Sequence, residues 1–290
     1  ADRFDEKYDL VRSLRRGRYK YVRNYQPFNV DGLYNFYRYT MLAYKEWYNL
    51  FQDGKLNDIQ SQFFKTKLPE SLYDIEDDPH ETRNLANDIT YNDILITMRE
   101  ELNNHLMSIN DLSFLPEPYF LKNGINNVVE YSTQNKALIK KLIETSNLQL
   151  KDYDMVSYQI KKALDHNNPW VRYWGLIVCS SFGDKAMENK EKINAIFEND
   201  SENLVRMRAA EFMLLNDIEL SDSKINSLLK KSNFEAEANL MLNTLANIKT
   251  INPKYKLNLN KNIFPENWFP PLRDEKGLVN RRMNYLTENE

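Results

Sequence analysis

The chain has 290 residues, of which 42% are hydrophobic, and a formal net charge of −3. This length is enough for one or two domains with a buried core, and the small acidic charge gives no bias towards nucleic acid or a membrane surface. No apolar run approaches the roughly 20 residues of a membrane-spanning helix. A single cysteine excludes an internal disulfide framework, and the seven glycines form no phosphate-binding loop.

The N-terminal segment alternates in the manner of β-strands. Apolar residues on both sides of Gly17 predict an antiparallel hairpin that turns there, because glycine adopts positive φ without steric cost. The second arm, residues 18–25, alternates aromatic and basic side chains. Such a stripe can bind nucleic acid or sugar, but the net acidic charge disfavours nucleic acid. We favour a strand with a buried aromatic face and a solvated basic face.

Helical spacing begins at Met41, after a run of aromatic residues. Gly54 is predicted to end this helix, and Asn57 is a candidate N-cap for a short helix that follows. A longer amphipathic helix is predicted over residues 91–107, and Pro116 and Pro118 close this part of the chain.

Between these helices, residues 70–86 read ESLYDIEDDPHETRNLA. The pattern predicts a short strand over residues 72–75, an acidic turn from Asp77 to Pro79, and then the start of a helix. Pro79 ends the strand because it fixes φ and lacks an amide proton. Residues 1–120 are therefore predicted to form an α+β unit, a small antiparallel sheet with flanking helices.

Residues 121–251 are predicted to be all-α and to contain a weak repeat. The steps from Val171 to Val205 and from Arg172 to Arg206 are both 34 residues, and a looser third copy covers residues 234–245. These units resemble HEAT-like repeats, which bury their apolar faces by stacking on neighbours. Residues 252–290 are predicted to be an irregular tail, rich in proline, with a final helix over residues 279–286.

Candidate reactive groups are few. Cys179 lies among apolar residues in a predicted helix, where a thiol usually acts as a small hydrophobe. His80, His105 and His166 occupy three different segments without metal-ligand spacing. Adjacent acidic residues point to different sides of a helix or turn, so they do not make a general acid–base pair. The sequence therefore predicts no catalytic residue and no metal site in this chain.

Two motifs resemble the C-terminal region of the sulfatase family. Residues 70–86 are similar to its leucine–tyrosine–aspartate strand, acid–Asp–Pro turn and Asn-Leu-Ala ending. The opening, Asp2-Arg3-Phe4-Asp5-Glu6, is similar to the family's Asp-Arg-Met-Asp-Glu. Val11-Arg12 and residues 18–27 resemble its next hairpin.

The resemblance implies a bacterial sulfatase whose catalytic domain, of the alkaline-phosphatase-like superfamily, lies upstream in a longer parent chain. That domain would carry a formylglycine, made from Cys or Ser in a Cys/Ser-x-Pro/Ala-x-Arg motif, beside a calcium ion. Cys179 is followed by Ser-Ser-Phe-Gly and does not match the motif. We therefore expect no cofactor in this chain and assign the calcium to the upstream domain.

The resemblance also implies a role in binding a sulfated glycan. Residues 1–120 would pack against the catalytic domain and form part of the substrate-pocket wall. Arg3, Asp5 and Glu6 are the candidate sugar-binding residues, because guanidinium groups suit sulfate oxygens and carboxylates accept hydrogen bonds from hydroxyls. An ion-pair network that pins the first strand is the alternative role for these three residues.

The alternative for the whole chain is a non-enzymatic interaction module built on the helical repeats. The family's glycan-degrading bacterial members are exported, which implies a periplasmic or extracellular location. The opening residues carry neither an initiator Met nor a signal-peptide pattern. We expect them to be either a mature end or a cut within a longer chain.

Overall fold

The computed structural model describes residues 7–252, 255–260, 262–265 and 277–287. Within them the fold is α+β, as the sequence predicts, with a three-stranded antiparallel sheet and a larger helical part. The strands, in spatial order, are β1 (Val11–Arg16), β2 (Tyr19–Asn24) and β3 (Glu70–Asp74). None of the described helices is long and apolar enough to cross a lipid bilayer.

The hairpin of β1 and β2 turns at Gly17, which confirms the prediction. Arg16 pairs with Tyr19, so the turn has two residues, and Gly17 has a φ of 59°. β3 then pairs with the other edge of β2 and places Leu72 opposite Tyr21. These two side chains are buried on the same face of the sheet.

The first half of the chain also contains helices. They are α1 (Phe36–Tyr39), α2 (Leu42–Gln52), α3 (Asp58–Ser61), α4 (Asn92–Ser108), α5 (Glu117–Asn123), α6 (Val128–Gln134) and α7 (Lys136–Ser146). Of these, α4 packs against β1 and β2. Gly54 follows α2 with a φ of 65°, and Asn57 caps α3 through a reciprocal capping box with Gln60. Both signals were correctly predicted from the sequence, and α4 matches the predicted helix over residues 91–107.

The predicted helix start after Pro79 is wrong. The segment remains irregular until a 3₁₀ turn at Ile89–Tyr91, because its backbone groups bind side chains and β3 instead. The Asp78 carboxylate accepts from the Arg83 amide at 2.7 Å, and Leu85 donates its amide to the Leu72 carbonyl of β3 at 2.8 Å.

The second half of the chain is helical. It comprises α8 (Tyr153–Leu164), α9 (Pro169–Phe182), α10 (Lys190–Asn199), α11 (Asn203–Leu215), α12 (Asp222–Lys230), α13 (Glu235–Ile251) and α14 (Leu278–Thr287). The predicted terminal helix over residues 279–286 corresponds to α14. Much of the predicted irregular tail, including Pro270 and Pro271, lies outside the described residues.

The sequence repeat has a structural counterpart in α9 and α11, which pack against each other. Val171 and Val205 are each the third residue of their helix, and both are fully buried. The arginine after each valine hydrogen-bonds to the segment that precedes its own helix. Arg172 donates to the His166 carbonyl at 2.7 Å, and Arg206 donates to the Phe197 carbonyl at 2.6 Å. The HEAT-like assignment itself remains a prediction.

An aromatic cluster joins the sheet to the helical part. Tyr25, just after β2, packs edge-to-face on Phe114 and Trp174, with ring centroids 4.9 and 6.0 Å away. The Trp174 indole of α9 also donates to the Phe114 carbonyl at 2.7 Å. Buried apolar residues from Tyr8 to Leu286 form one connected core. The proposed boundaries at residues 120 and 251 stay a prediction.

Candidate functional site

The predicted sugar-binding residues Arg3, Asp5 and Glu6 lie outside the described residues. The described chain begins at Lys7, and residues 7–10 are buried. These residues lead directly into β1 and carry the carboxylate of Asp9, which is 2% exposed. The site can therefore be built from Asp9 onwards.

The two faces of the sheet have different environments. Alternate residues of a strand point to opposite faces, so Tyr19, Tyr21 and Arg23 of β2 share one face, against which α4 packs. Lys20 and Val22 belong to the other face, which borders a cavity of about 680 Å³. This cavity is the candidate functional site.

The cavity has a polar floor and an apolar rim. Its floor is formed by the sheet, including Ser13, Lys20 and Ser71. On one side the rim carries Trp47 of α2 and Phe63, whose rings stack with centroids 4.7 Å apart. Hydroxyl, amide and ammonium groups can form hydrogen bonds with a polar ligand, and the stacked aromatic rings beside them can pack on its apolar faces.

Lys67 lies at the centre of a charge network in the cavity wall. Its ammonium contacts Asp9 at 2.5 Å and Asp31 at 3.2 Å, and the Asn29 amide donates to the second oxygen of Asp9 at 3.2 Å. Burial lowers the pKa of Lys67, but the two carboxylates outweigh this effect and raise it above its usual value. Lys67 is therefore held as a cation.

A second ion pair crosses the cavity floor. Lys20 of β2 contacts both carboxylate oxygens of Glu81, at 2.6 and 2.7 Å. Lys65 and His80 also line the cavity and are exposed, and Lys65 contacts Asp58 at 3.1 Å. Because the three lysines all have carboxylate partners, this surface offers paired hydrogen-bonding groups and little uncompensated charge.

An arginine of the β1–β2 hairpin neutralises part of the negative charge of the acidic turn after β3. Arg18, in the turn between β1 and β2, donates through Nε to both Asp74 oxygens at 2.8 Å and contacts Asp77 at 2.7 Å. This hydrogen bonding lowers the pKa of Asp74. The turn motif thus has a local structural role that joins β2 to the end of β3.

The expected solvated basic face of β2 is only partly correct. Lys20 does lie on the face opposite Tyr21, but Arg23 is 2% exposed and lies on the aromatic face. Its guanidinium packs over the Tyr25 ring at 4.6 Å and donates to backbone carbonyls. Strand alternation could have placed Arg23, since it is two residues from both Tyr21 and Tyr25.

Among the described residues, the remaining reactive groups do not form a catalytic constellation. Cys179 is fully buried in α9, and burial strongly raises its pKa, so it remains a thiol. In the part of the chain that the structure describes, no three His, Cys, Asp or Glu side chains converge as metal ligands. These residues therefore do not fit the calcium site that the sulfatase resemblance implies.

Sequence comparison relates part of the chain to a curated protein. The chain is 40% identical, over 130 residues, to an ulvan-active sulfatase from Formosa agariphila. Part of this chain is therefore related to a sulfatase. The match covers 43% of this chain but only 22% of the relative. No family model matches the chain, and no solved structure matches it.

Proposed function

We propose that this chain is the C-terminal portion of a sulfatase that acts on a sulfated glycan. The observation that carries the proposal is the 40% identity to the ulvan-active sulfatase, which extends over about a fifth of that protein. The motifs at residues 2–6 and 70–86 support a position in the C-terminal region. The sulfuric ester hydrolase activity would belong to the intact parent protein.

In this proposal the sheet face around the 680 Å³ cavity contributes to the substrate-pocket wall. Its paired Lys67 and Lys20 groups suit recognition of sugar hydroxyls, and the stacked Trp47 and Phe63 rings suit an apolar sugar face. Arg3, Asp5 and Glu6 precede Asp9 in the chain, and Asp9 holds the cavity-lining Lys67. The role of Arg3, Asp5 and Glu6 in binding the substrate is proposed from the resemblance.

The chemistry is assigned to an upstream catalytic domain of the same parent chain. This chain has no Cys/Ser-x-Pro/Ala-x-Arg motif around Cys179, so the formylglycine and the calcium ion belong to that domain. The helical segment over residues 121–251 is proposed to consist of HEAT-like repeats. An exported location, periplasmic or extracellular, follows from the resemblance.

The direct test compares this chain with an extended protein that carries the region encoded upstream. Both are assayed for sulfate release from an aryl sulfate and from ulvan. Activity of the extended protein alone supports the proposal. Activity of this chain alone contradicts the assignment of catalysis to another domain. If neither protein is active, the alternative of a helical interaction module is favoured.

The pocket role is tested in the active extended protein with Arg3→Ala. We expect the KM for a sulfated sugar to rise about tenfold or more, because a charge-assisted hydrogen bond contributes about 1.5–3 kcal/mol. The melting temperature should not change. Arg15→Ala is the control, since Arg15 is an exposed arginine of β1 whose Nε donates to the Gly17 carbonyl.

An unchanged KM for Arg3→Ala would remove Arg3 from the pocket. A lower melting temperature with an unchanged KM would instead support the ion-pair network that pins the first strand. Neither result would affect the assignment of the chain to a sulfatase, which depends on the assay of the extended protein.

A further inference from the structure

A second cavity lies on the opposite face of the sheet from the candidate site. It has a volume of about 210 Å³ and is bounded by β2, by α4 and by the turn after α7. Its walls include Arg23, Arg99 and Lys151, the amides of Asn103 and Asn147, and the exposed carboxylate of Glu100. Three basic side chains from three separate segments therefore converge on one small space.

Arg23 is the most unusual of these side chains, because it is a buried cation with only neutral partners. Its Nη1 atom donates to the Asn24 and Pro69 carbonyls, both at 2.8 Å, and Nη2 donates to the Ser146 carbonyl at 3.1 Å. Its Nε–H has no hydrogen-bond partner among the described residues. A buried charge without a counter-charge is costly, and burial lowers the pKa of this guanidinium.

A second carboxylate, beside this cavity, is already engaged. Glu70 of β3 accepts from Arg99 Nε and Nη2 at 2.8 and 2.5 Å, and from the Tyr21 hydroxyl at 2.9 Å. One carboxylate cannot neutralise two guanidinium groups, so the cluster of Arg23, Arg99 and Glu70 keeps a net positive charge.

Further donors lie at the mouth of the cavity. Lys151 is exposed and makes no ion pair within the described part of the chain. Asn147 donates to the Asn103 side-chain oxygen at 2.8 Å, which orients the Asn103 amide. Within the described residues, the Asn103 N–H group has only the Met107 sulfur as an acceptor, at 3.9 Å, and a thioether is a weak acceptor.

We propose that this cavity binds a small tetrahedral oxyanion, inorganic sulfate or phosphate. Arg23, Arg99 and Lys151 supply the positive charge, and Asn103 supplies an N–H donor. The volume is ample, since a water molecule occupies about 30 Å³. The anion gives Arg23 a charged hydrogen-bond partner, whereas its present acceptors are neutral carbonyls. It also joins the sheet to α4 and to the turn after α7. The proposal does not depend on the sulfatase assignment, because it concerns only residues of this chain.

The test is binding of sodium sulfate to the purified chain, with sodium chloride used to hold the ionic strength constant. Calorimetric titration and the thermal unfolding midpoint are both recorded. We expect saturable binding, with a midpoint that rises to a plateau. Saturation is the critical feature, because sulfate also stabilises proteins generally by exclusion from their surfaces, an effect that does not saturate at a site.

Variants locate the site. Lys151→Gln is expected to raise the sulfate Kd about tenfold, the value of one charge-assisted hydrogen bond. Lys140→Gln is the matched control, because Lys140 is an exposed lysine on α7 that does not line the cavity. Arg23→Met should abolish saturable binding while keeping much of the buried volume. If Arg23→Met does not fold, Asn103→Ala replaces it and should weaken binding.

A midpoint that rises linearly and equally in the parent chain, Lys151→Gln and Lys140→Gln would overturn the proposal. Saturable binding that Lys151→Gln and Arg23→Met leave unchanged would also overturn it. Competition by glucose 6-sulfate distinguishes the source of the anion. Displacement of inorganic sulfate assigns the cavity to a sulfate carried by a sugar, and lack of displacement assigns it to the free anion.

Discussion

At the scale of single residues, Arg208 and Glu211 on α11 form a buried ion pair. Their charges and hydrogen-bonding groups must be compensated within the protein. The guanidinium contacts both carboxylate oxygens at 2.7 and 2.8 Å, and the Tyr173 hydroxyl of α9 accepts from Arg208 at 2.8 Å. Arg208 and Glu211 are 2% and 1% exposed. The pair lies at the contact between α9 and α11, where neither charge can be hydrated.

We expect Arg208→Met to lower the free energy of unfolding by about 3–5 kcal/mol at pH 7, because it leaves Glu211 charged and buried. Burial already raises the pKa of Glu211 above its usual value, and the substitution should raise it further. A group with a raised folded pKa stabilises the fold below its unfolded pKa and loses this contribution as the pH rises. The loss of unfolding free energy caused by Arg208→Met should therefore become smaller as the pH falls towards about 4.3.

Urea denaturation at pH 7 and pH 4.5 measures both effects. Lys140→Met is the control, because Lys140 faces Glu144 at 3.9 Å in an exposed i,i+4 pair that is worth about 0.5 kcal/mol or less. The double variant Arg208→Met with Glu211→Leu should recover most of the loss. A deficit that does not depend on pH would mean that lost packing, and not the unpaired Glu211 charge, causes the destabilisation.

At the scale of secondary-structure elements, the hairpin shows that a local signal can be sufficient. Gly17 turns the chain because its φ of 59° is strained for other residues, and no atom within 4 Å would contact an added Cβ. The register it sets places Lys20 opposite Tyr73 and Tyr21 opposite Leu72. The turn therefore decides which side chains face the candidate site.

Gly17→Ala is expected to lower the free energy of unfolding by about 1–2 kcal/mol, the cost of positive φ in an L-residue. The free space around Gly17 excludes a steric contribution. Thermal and urea unfolding provide the measurement. Ser13→Ala, an exposed substitution on β1, should stay within about 0.5 kcal/mol. An equal loss in both variants would mean that the turn conformation does not limit stability.

Prediction of elements failed where side chains competed with the backbone. Residues 80–86 carry helix-like spacing, but Asp78 accepts from the Arg83 amide and Asn84 accepts from the Leu72 amide of β3 at 3.0 Å. Asp and Asn offer the backbone such alternatives to a helix. A pattern of apolar positions does not report them, because it contains no information on the hydrogen bonds of polar side chains.

At the scale of the whole molecule, one buried amide joins three distant segments. The Asn243 side-chain oxygen of α13 accepts from the Tyr8 amide at 3.0 Å and from Arg282 of α14 at 3.1 Å. Arg282 also donates to the Tyr34 carbonyl at 2.7 Å. The entrance to β1, the last long helix and the terminal helix are thus held at a single point in the core.

We expect Asn243→Ala to lower the free energy of unfolding by about 1–3 kcal/mol, the cost of losing buried hydrogen bonds, and to leave a single unfolding transition. A single transition is expected because the buried residues form one connected core. Far-UV circular dichroism and tryptophan fluorescence should give coincident curves. Asn199→Ala, an exposed substitution at the end of α10, is the control.

Two separate transitions would contradict this expectation. They would show that the α+β segment and the helical segment unfold independently, as the division at residue 120 implies. Asn243→Ala would then affect the transition of only one segment. The two segments would be separate folding units joined by a weak contact.

The sequence by itself determined the α+β class, the turn at Gly17, the Asn57 cap, the ends of α4 and the position of α14. These features depend on residues close together in the chain, where φ preferences, capping and periodicity act directly. It also pointed to a sulfatase, through short motifs at residues 2–6 and 70–86.

Only the tertiary structure decided which charged groups meet. Asp9 and Lys67 are 58 residues apart in the chain, and Arg23 and Ser146 are 123 residues apart, so no local pattern relates them. Their contacts depend on how the sheet, α4 and the later helices share one core. Burial then decides whether a basic residue is a solvated surface group, as the predicted basic face of β2 implied for Arg23, or a buried cation that needs a counter-charge.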